Sequence, residues 1–405
     1  MKRLLFLFFS AALVVLFVMA MWQDTAREWT GYQRQFFKSL AGKERRGLSG
    51  GIKQLIVTDL SRVDRCTTCH LAVDKPQLAL AVEPLNVHPA LPGETDDAGN
   101  PLPLKWHPPE KFGCTICHGG QGLATEVKAA HGDVEHWEQP LLRGRLVQAS
   151  CRQCHGDLEP MAQHVPVLLK GMELFKAKGC YGCHTVRAFT SEFGQTVSVE
   201  LSEVGAKPYQ LITADFEMMP EPHDRIHWLS TKLHTPRTLN PGGRKEKLPP
   251  GEEEVYPTAM PNFGLTDDEV EALTVYLLSL VDNKLPAKYV RPPTPKPEPT
   301  YATAIERGRA AFTKYGCVGC HGQEAGGGRK NVNAQLYQEV PPLVFVRAYY
   351  DPASLKALIR NGRQPVPRAD PSRPTPSLYM PAWKDKIPDA EIDDIVEYLL
   401  SLVPA

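Results

Sequence analysis

The sequence has 405 residues, enough for two or three domains of ordinary size. Its 46 basic side chains are balanced by 46 acidic ones, so the clustered positive charge that nucleic-acid binding needs is not indicated. Proline, with 37 residues, is about twice as frequent as usual, which favours extended and looping backbone over long helices. Sustained alternation of apolar and polar residues is missing as well, so we predict a mainly α-helical fold with few strands.

The N-terminal segment predicts a membrane anchor. Two basic residues precede an apolar run, Leu4–Trp22, that is interrupted only by Ser10. About 20 apolar residues span a bilayer as a helix, and the positive charge keeps the N-terminus on the cytoplasmic side. We therefore predict a transmembrane helix over residues 1–23, while the triplet Val18-Met19-Ala20 leaves a cleaved signal peptide as the alternative. Residues 24–61 are predicted to form an amphipathic, charged stalk.

The cysteines carry the strongest functional signal, because all ten fall in five Cys-x-x-Cys-His motifs. This motif is the attachment signature of c-type haem: the two thiols form thioethers with the porphyrin, and the histidine binds iron on the proximal side. A disulfide framework would not place histidine after every second cysteine, and zinc sites built from two pairs each would leave one pair over. We therefore predict five covalently bound haem c groups. Their cysteines are Cys66, Cys69, Cys114, Cys117, Cys151, Cys154, Cys180, Cys183, Cys317 and Cys320, and their proximal ligands are His70, His118, His155, His184 and His321.

The first three motifs lie within residues 62–164, which we predict to be a trihaem module. So short a segment is too little chain for three separate cores, so the haem faces must supply apolar surface and lie close together. Three more iron ligands are needed if each haem is held by two histidines. Within residues 62–164, the histidines outside the motifs number five, two more than required: His88, His107, His131, His136 and His164.

The second motif and its flanks carry a family resemblance. Phe112-Gly113 precedes the motif, Gly119-Gly120-Gln121-Gly122 follows it, and Ala130-His131-Gly132 comes next. This pattern resembles the multihaem cytochrome subunits that accompany quinol-oxidising membrane complexes. The resemblance implies three distal ligands: His88, His107 and His131. It leaves His136 and His164 facing solvent or beside the ligands, and does not say which histidine serves which iron.

The C-terminal half contains a repeat. Gly171 and Phe175 lie nine and five residues before Cys180, and Gly308 and Phe312 lie at the same distances before Cys317. Each copy continues to a Met-Pro-x-aromatic sequence and closes with Tyr-Leu-Leu-Ser-Leu in an amphipathic helical pattern. The methionines of these sequences are Met260 and Met380.

This repeated unit resembles a class I cytochrome c domain, over residues 165–283 and 303–405. The resemblance implies a small all-α fold in which the first and last helices cross, with Met260 and Met380 as distal iron ligands. Within the first copy, Met218 and Met219 compete for that role, and so do three histidines of a long insertion: His223, His227 and His234. The proline-rich residues 284–302 predict a semi-rigid linker that lets the last domain swivel.

These features predict an electron-transfer protein of the respiratory chain. Such haem attachment takes place outside the bacterial cytoplasm, so the haem domains are expected in the periplasm, anchored to the cytoplasmic membrane. A single short anchor cannot bind quinone, so we expect quinol-oxidising, integral-membrane redox subunits as the electron donor. As the electron acceptor we expect a soluble cytochrome or another periplasmic protein. The alternative is a multihaem oxidoreductase, such as a peroxidase or a nitrogen- or sulfur-compound reductase, with one open haem. Five candidate distal ligands for five irons favour the carrier, and the anchor disfavours a filament subunit.

Overall fold

The computed structural model describes residues 2–40, 42, 45, 47–135, 137–187, 199–236, 239, 244–247, 253–256, 260, 263–282, 285–295, 297, 299–328, 331, 334–336, 338–364, 366–367, 369 and 379–403. The candidate ligand His136 lies outside these residues. The fold is mainly helical, as the sequence predicts, with an N-terminal apolar helix. The chain divides into two compact units, Met1–Val147 and Gln148–Ala405, so the third attachment motif packs with the second unit.

The described residues of the first unit form a long helix, a shorter second helix, a small hairpin and several single-turn helices. Its elements are α1 (Lys2–Thr25), α2 (Glu28–Ser39), β1 (Leu55–Val57), β2 (Arg62–Asp64), α3 (Pro109–Phe112), α4 (Thr115–His118) and α5 (Val127–Ala130). The strands pair antiparallel with Leu55 opposite Asp64. Among the residues described, α1 alone is long and apolar enough to cross a membrane, with a mean hydropathy of 2.8 over Lys2–Gln23. A membrane anchor and a signal sequence share this length and composition.

Helix α2 packs against the first attachment motif instead of standing free. Phe36 is only 1% exposed and lies in a cluster with Leu71, Ala72 and Leu85. The buried amide of Gln33 donates to the carbonyl oxygen of Thr68, inside the first motif, at 3.0 Å. A buried amide of this kind has to be hydrogen-bonded, so the contact fixes the register of the helix on the motif. The segment predicted as a stalk is therefore partly a structural support for the first motif.

The second unit contains the third, fourth and fifth motifs and most of the helices. Its elements are α6 (Pro166–Ala177), α7 (Thr213–Phe216), α8 (Arg225–His234), β3 (Arg244–Lys247), β4 (Glu253–Tyr256), α9 (Asp267–Leu278), α10 (Ala304–Lys314), α11 (Val318–His321), α12 (Pro352–Asn361) and α13 (Asp389–Ser401). Strands β3 and β4 pair antiparallel inside the insertion of the first repeat copy. Helix α9 begins with the capping box of Thr266 and Glu269 that its sequence favours.

The two glycine-phenylalanine repeats mark two helix crossings. A Cβ atom on Gly171 of α6 would lie 2.0 Å from the carbonyl oxygen of Ala272 in α9. The matching Cβ on Gly308 of α10 would lie 1.9 Å from the carbonyl oxygen of Asp394 in α13. One turn further along, Phe175 packs on Tyr276 at 5.2 Å between ring centroids, and Phe312 packs on Tyr398 at 5.6 Å. The crossing of first and last helices thus occurs in both copies.

The described part of the proline-rich linker is hydrogen-bonded to the third attachment motif, while the swivelling of the last domain stays a prediction. The Arg291 amide donates to the carbonyl oxygen of Cys154 at 2.7 Å, and the Gly156 amide donates back to Arg291 at 2.8 Å. The carboxylate of Asp157 accepts the amide of Thr294 at 2.9 Å. Extended backbone with a free amide and carbonyl pairs readily with another extended segment, and here the third motif supplies that segment.

Candidate haem-binding sites

The five motifs share one backbone conformation. In each, the amide of the histidine donates to the carbonyl oxygen of the motif's first cysteine, at distances of 2.9 to 3.1 Å. This bond spans four residues and closes one helical turn. Residues three and four apart lie on the same face of such a turn, so both thiols and the imidazole are presented together. The turn therefore provides what covalent attachment and proximal ligation by one short peptide require.

Three of the proximal imidazoles are oriented by backbone carbonyl groups. Nδ1 lies 3.1 Å from the Leu142 oxygen in His118, 2.9 Å from the Val199 oxygen in His184 and 3.4 Å from the Pro341 oxygen in His321. Facing a carbonyl, Nδ1 carries the proton, which leaves the lone pair of Nε2 for a metal.

Burial keeps these imidazoles in the neutral form that binds iron. It lowers the pKa of His118, His184 and His321, and desolvation is the largest cause in each case. His70 has a lowered pKa for the same reason, with the nearby His131 as the next contribution. The residues present fit haem c.

The first and second motifs lie side by side in the first unit. The thiols of Cys66 and Cys114 share a hydrogen bond, which lowers the pKa of Cys66 and raises that of Cys114. These are the first cysteines of their motifs, so one attachment point of each haem lies at the contact. The close spacing predicted for the N-terminal haems is consistent with this contact for the first two motifs.

Asp64 is a positioning residue that the sequence does not reveal. Its side chain is fully buried and accepts hydrogen bonds from the amides of Cys114 and Thr115, the latter at 2.9 Å, and from the Thr115 hydroxyl at 2.7 Å. Gly113 and Gly122 surround it so closely that a Cβ atom on either would lie within 2.5 Å of its oxygens. The carboxylate lies two residues before the first motif and holds the start of the second one. Its partners are about 50 positions away, so no local pattern marks it.

We expect Asp64→Ala to loosen the second motif. The substitution leaves two buried amides without acceptors, which costs roughly 1–3 kcal/mol. Hydrogen exchange of the peptide covering residues 112–118 in the holoprotein should accelerate, while Asp64→Asn, which keeps one acceptor oxygen, should fall between the two. The exposed Asp97→Ala is the control. Wild-type exchange in Asp64→Ala would show that the capping bonds do not hold the motif.

His88 faces the proximal imidazole of the second motif. The ring centroids of His88 and His118 are 5.9 Å apart, and the ring planes are nearly perpendicular at 76°. Two imidazoles that bind one metal at about 2 Å each place their centroids roughly 6 Å apart. The Nδ1 atom of His88 lies 2.8 Å from the Pro89 carbonyl oxygen, so its Nε2 is also left for iron.

The other two distal candidates of the N-terminal segment have different surroundings. Nδ1 of His131 accepts a hydrogen bond from the Arg143 guanidinium at 2.9 Å. With Nδ1 as acceptor, the proton of a neutral ring lies on Nε2, so ligation through Nε2 requires Arg143 to turn away. The ring of His107 packs edge-on against Phe112 at 5.2 Å. The distal roles of both residues stay predictions.

The remaining spare histidines have local partners. Nε2 of His164 lies 3.2 Å from the Gln163 side-chain nitrogen. His223 stacks on Phe216 and points Nε2 at the Met219 carbonyl oxygen. His227 bonds Asp224 at 2.8 Å, and His234 bonds Asp267 at 2.7 Å. The contacts of His164, His223 and His234 use Nε2, whereas that of His227 uses Nδ1 and does not occupy its Nε2.

The two candidate methionines are both half-buried. The carbonyl oxygen of Met380 accepts the Arg363 amide at 2.8 Å and lies against Gly362, where the chain turns with a φ of 66° after α12. Met260 directly follows a segment outside the described residues. Of the competitors, Met219 is buried and Met218 is partly exposed. Iron ligation by Met260 and Met380 stays a prediction.

Comparison with protein families agrees with the helix crossings and motif turns of the second unit. The model for cytochrome c matches residues 168–281, and the model for cytochrome c oxidase, cbb3-type, subunit III matches residues 303–399. The chain contains two cytochrome c domains. They support a c-type cytochrome that transfers electrons through covalently bound haem c, and they contain the fourth and fifth motifs. No curated protein and no solved structure matches the chain.

Proposed function

We propose that this chain is a pentahaem c-type cytochrome that carries electrons from a membrane partner, a quinol-oxidising complex, to a soluble cytochrome or other periplasmic acceptor. Bound haem c supplies reversible one-electron chemistry. The chain's own residues attach it, provide both axial ligands and fix the spacing between sites. In this role the protein is an electron-transfer subunit with no substrate chemistry of its own.

The pairing of His88 with His118 carries the proposal. Ring centroids 5.9 Å apart, with both Nδ1 atoms at carbonyl oxygens, support ligation of one iron by the Nε2 atoms of these two imidazoles. An iron with both axial positions occupied exchanges electrons without binding substrate. The bonds from the Cys114 and Thr115 amides to Asp64, two residues before Cys66, place the first two motifs next to each other and support direct passage between their haems. A haem with two imidazole ligands has a lower reduction potential than a haem with histidine and methionine. The donor should therefore reduce the N-terminal haems first, and these should pass electrons on to the haems of the cytochrome c domains.

The packing of α2 supports a donor in the membrane. This helix begins three residues after α1 ends and holds the first motif through Phe36 and Gln33. If α1 stays in the membrane, the first motif is fixed near its surface, within reach of an integral-membrane redox subunit. A cleaved α1, seen as a mature N-terminus after residue 20 by mass spectrometry, would contradict the anchored form.

Carbon monoxide binding tests the carrier. In the reduced holoprotein we expect little carbon monoxide uptake, because the predicted ligands occupy all sixth positions, and a potentiometric titration should split into a low group of three and a higher group of two. Full binding at one haem would overturn the saturated arrangement. Haem content per chain, measured in the same sample, tests the count of five.

The contact between Arg143 and His131 favours the second candidate, a multihaem oxidoreductase. If this contact persists in the holoprotein, His131 is no ligand and leaves one iron open next to a guanidinium. Carbon monoxide binding that disappears in Arg143→Ala, where His131 is freed to bind, would support this candidate.

A further inference from the structure

Two pairs of glycines join the fourth and fifth attachment motifs. A Cβ atom on Gly182 would lie 2.2 Å from the Gly316 carbonyl oxygen, and one on Gly179 would lie 2.2 Å from Cα of Gly319. The reverse contacts are just as short, 2.1 Å from Gly316 to Gly182 and 2.5 Å from Gly319 to Gly179. In both directions, the residue before the first cysteine of one motif meets the third residue of the other. The contact is therefore two-fold related.

Only the contact explains glycine at the third motif position. Gly179 and Gly316 have φ angles of 66° and 72°, so their own backbone conformation favours glycine. Gly182 and Gly319 do not have this conformation, and what excludes a side chain there is the facing motif. Haem attachment does not require glycine at this position either. The other three motifs carry larger residues: Thr68, Ile116 and Gln153.

Side chains close the edges of the glycine contact. Tyr181, within the fourth motif, is buried and donates its hydroxyl to the Thr313 carbonyl oxygen at 2.7 Å. On the other side, the amide of Gln323 donates to the Ala177 carbonyl oxygen at 3.2 Å. Val318, the counterpart of Tyr181 in the fifth motif, is only 1% exposed. Backbone against backbone, sealed by buried side chains, leaves no layer of water between the motifs.

We infer that the two cytochrome c domains form one fixed redox pair, docked through Gly182 and Gly319, and that electrons cross directly between their haems at this contact. The cysteines that would hold each haem flank these glycines, so the contact brings the two attachment sites together. The step moves one electron from ferrous iron in one domain to ferric iron in the other, and no bond or proton changes place. This inference rests on the proposed electron-transfer function.

The double variant Gly182→Ala/Gly319→Ala tests the docked pair in the full-length holoprotein. Gly326→Ala is the matched control, because a Cβ atom there meets nothing within 4 Å. Hydrogen exchange of the peptide covering residues 311–319 should rise about tenfold in the double variant as the docked state opens more often. Electron equilibration among the haems after photoreduction by an excited flavin should slow, because tunnelling rates fall exponentially with distance. The control should match wild type in both readouts.

Wild-type exchange in the double variant would overturn the docking, and faster exchange with unchanged equilibration would overturn the electron route. If the double variant loses haem, Tyr181→Phe takes its place, since it removes only the hydroxyl that reaches Thr313. Unchanged exchange around residue 313 in that variant would count against the interface. Neither readout uses a physiological donor or acceptor. The test of the docked domains is therefore independent of whether the proposed donor and acceptor are correct.

Discussion

His88→Ala should create a haem that binds carbon monoxide in the reduced protein, in an amount of one haem per chain above wild type. Removing His88 leaves His118 as the one ligand at its iron, and an open sixth position on ferrous iron accepts small ligands. The potential of that haem should shift as well, because the axial ligand is one of the main determinants of haem potential. Optical titration with carbon monoxide and potentiometry on the same sample measure both effects.

Two further variants separate ligand loss from damage to the fold. His88→Met supplies a thioether in place of the imidazole, so it should block carbon monoxide binding and raise the potential of one haem. His227→Ala removes an exposed histidine held by Asp224 and should leave both readouts at wild-type values. If His88→Ala binds no more carbon monoxide than wild type, His88 is not a ligand, and another side chain completes the second haem.

Local patterns in the sequence were sufficient to predict much of the second unit. The spacing of Gly171 and Phe175 before Cys180, repeated in the last domain, carried the resemblance to class I cytochrome c domains, and that resemblance implied the helix crossings that the structure contains. The capping-box sequence of Thr266 and Glu269 is another local pattern, and the closing helix begins there. Such features succeed because glycine at a helix contact and a capping threonine act over a few residues, or recur in a second copy of the same unit.

Features that depend on distant partners could not be predicted in this way. In the sequence, Asp64 looks like any acidic residue of a short strand. Its role comes from the bonds to the second motif, which only the folded chain brings next to it. Gly182 reads as a variable position of its motif, and its requirement for glycine comes from Gly316, far along the chain. The position of the linker is a third example: its prolines predict stiffness, but the bond from the Arg291 amide to the Cys154 carbonyl oxygen joins two segments that lie far apart in the sequence.

Gly308→Ala should destabilise the last cytochrome c domain, although alanine is the better helix former. In an isolated helix this substitution stabilises by about 1 kcal/mol. Here the new Cβ atom would lie 1.9 Å from the Asp394 carbonyl oxygen and 2.8 Å from Cβ of Tyr398, so α10 and α13 must move apart. Overpacking of this kind costs roughly 1–3 kcal/mol or more, and the net sign should be unfavourable.

The sign of the effect makes this a sharp test of the helix crossing. Because the haem is attached covalently, haem content should stay constant while hydrogen exchange of α10 and α13 accelerates and that of α6 and α9 does not. Gly171→Ala should reverse the pattern, because its Cβ atom would meet Ala272 in the other domain. Slower exchange in α10 after Gly308→Ala would mean that helix propensity prevails over the contact. Arg307 also donates two hydrogen bonds to the Asp394 carboxylate, each at 2.9 Å. Slower exchange in α10 would mean that these bonds form even when α10 and α13 are further apart.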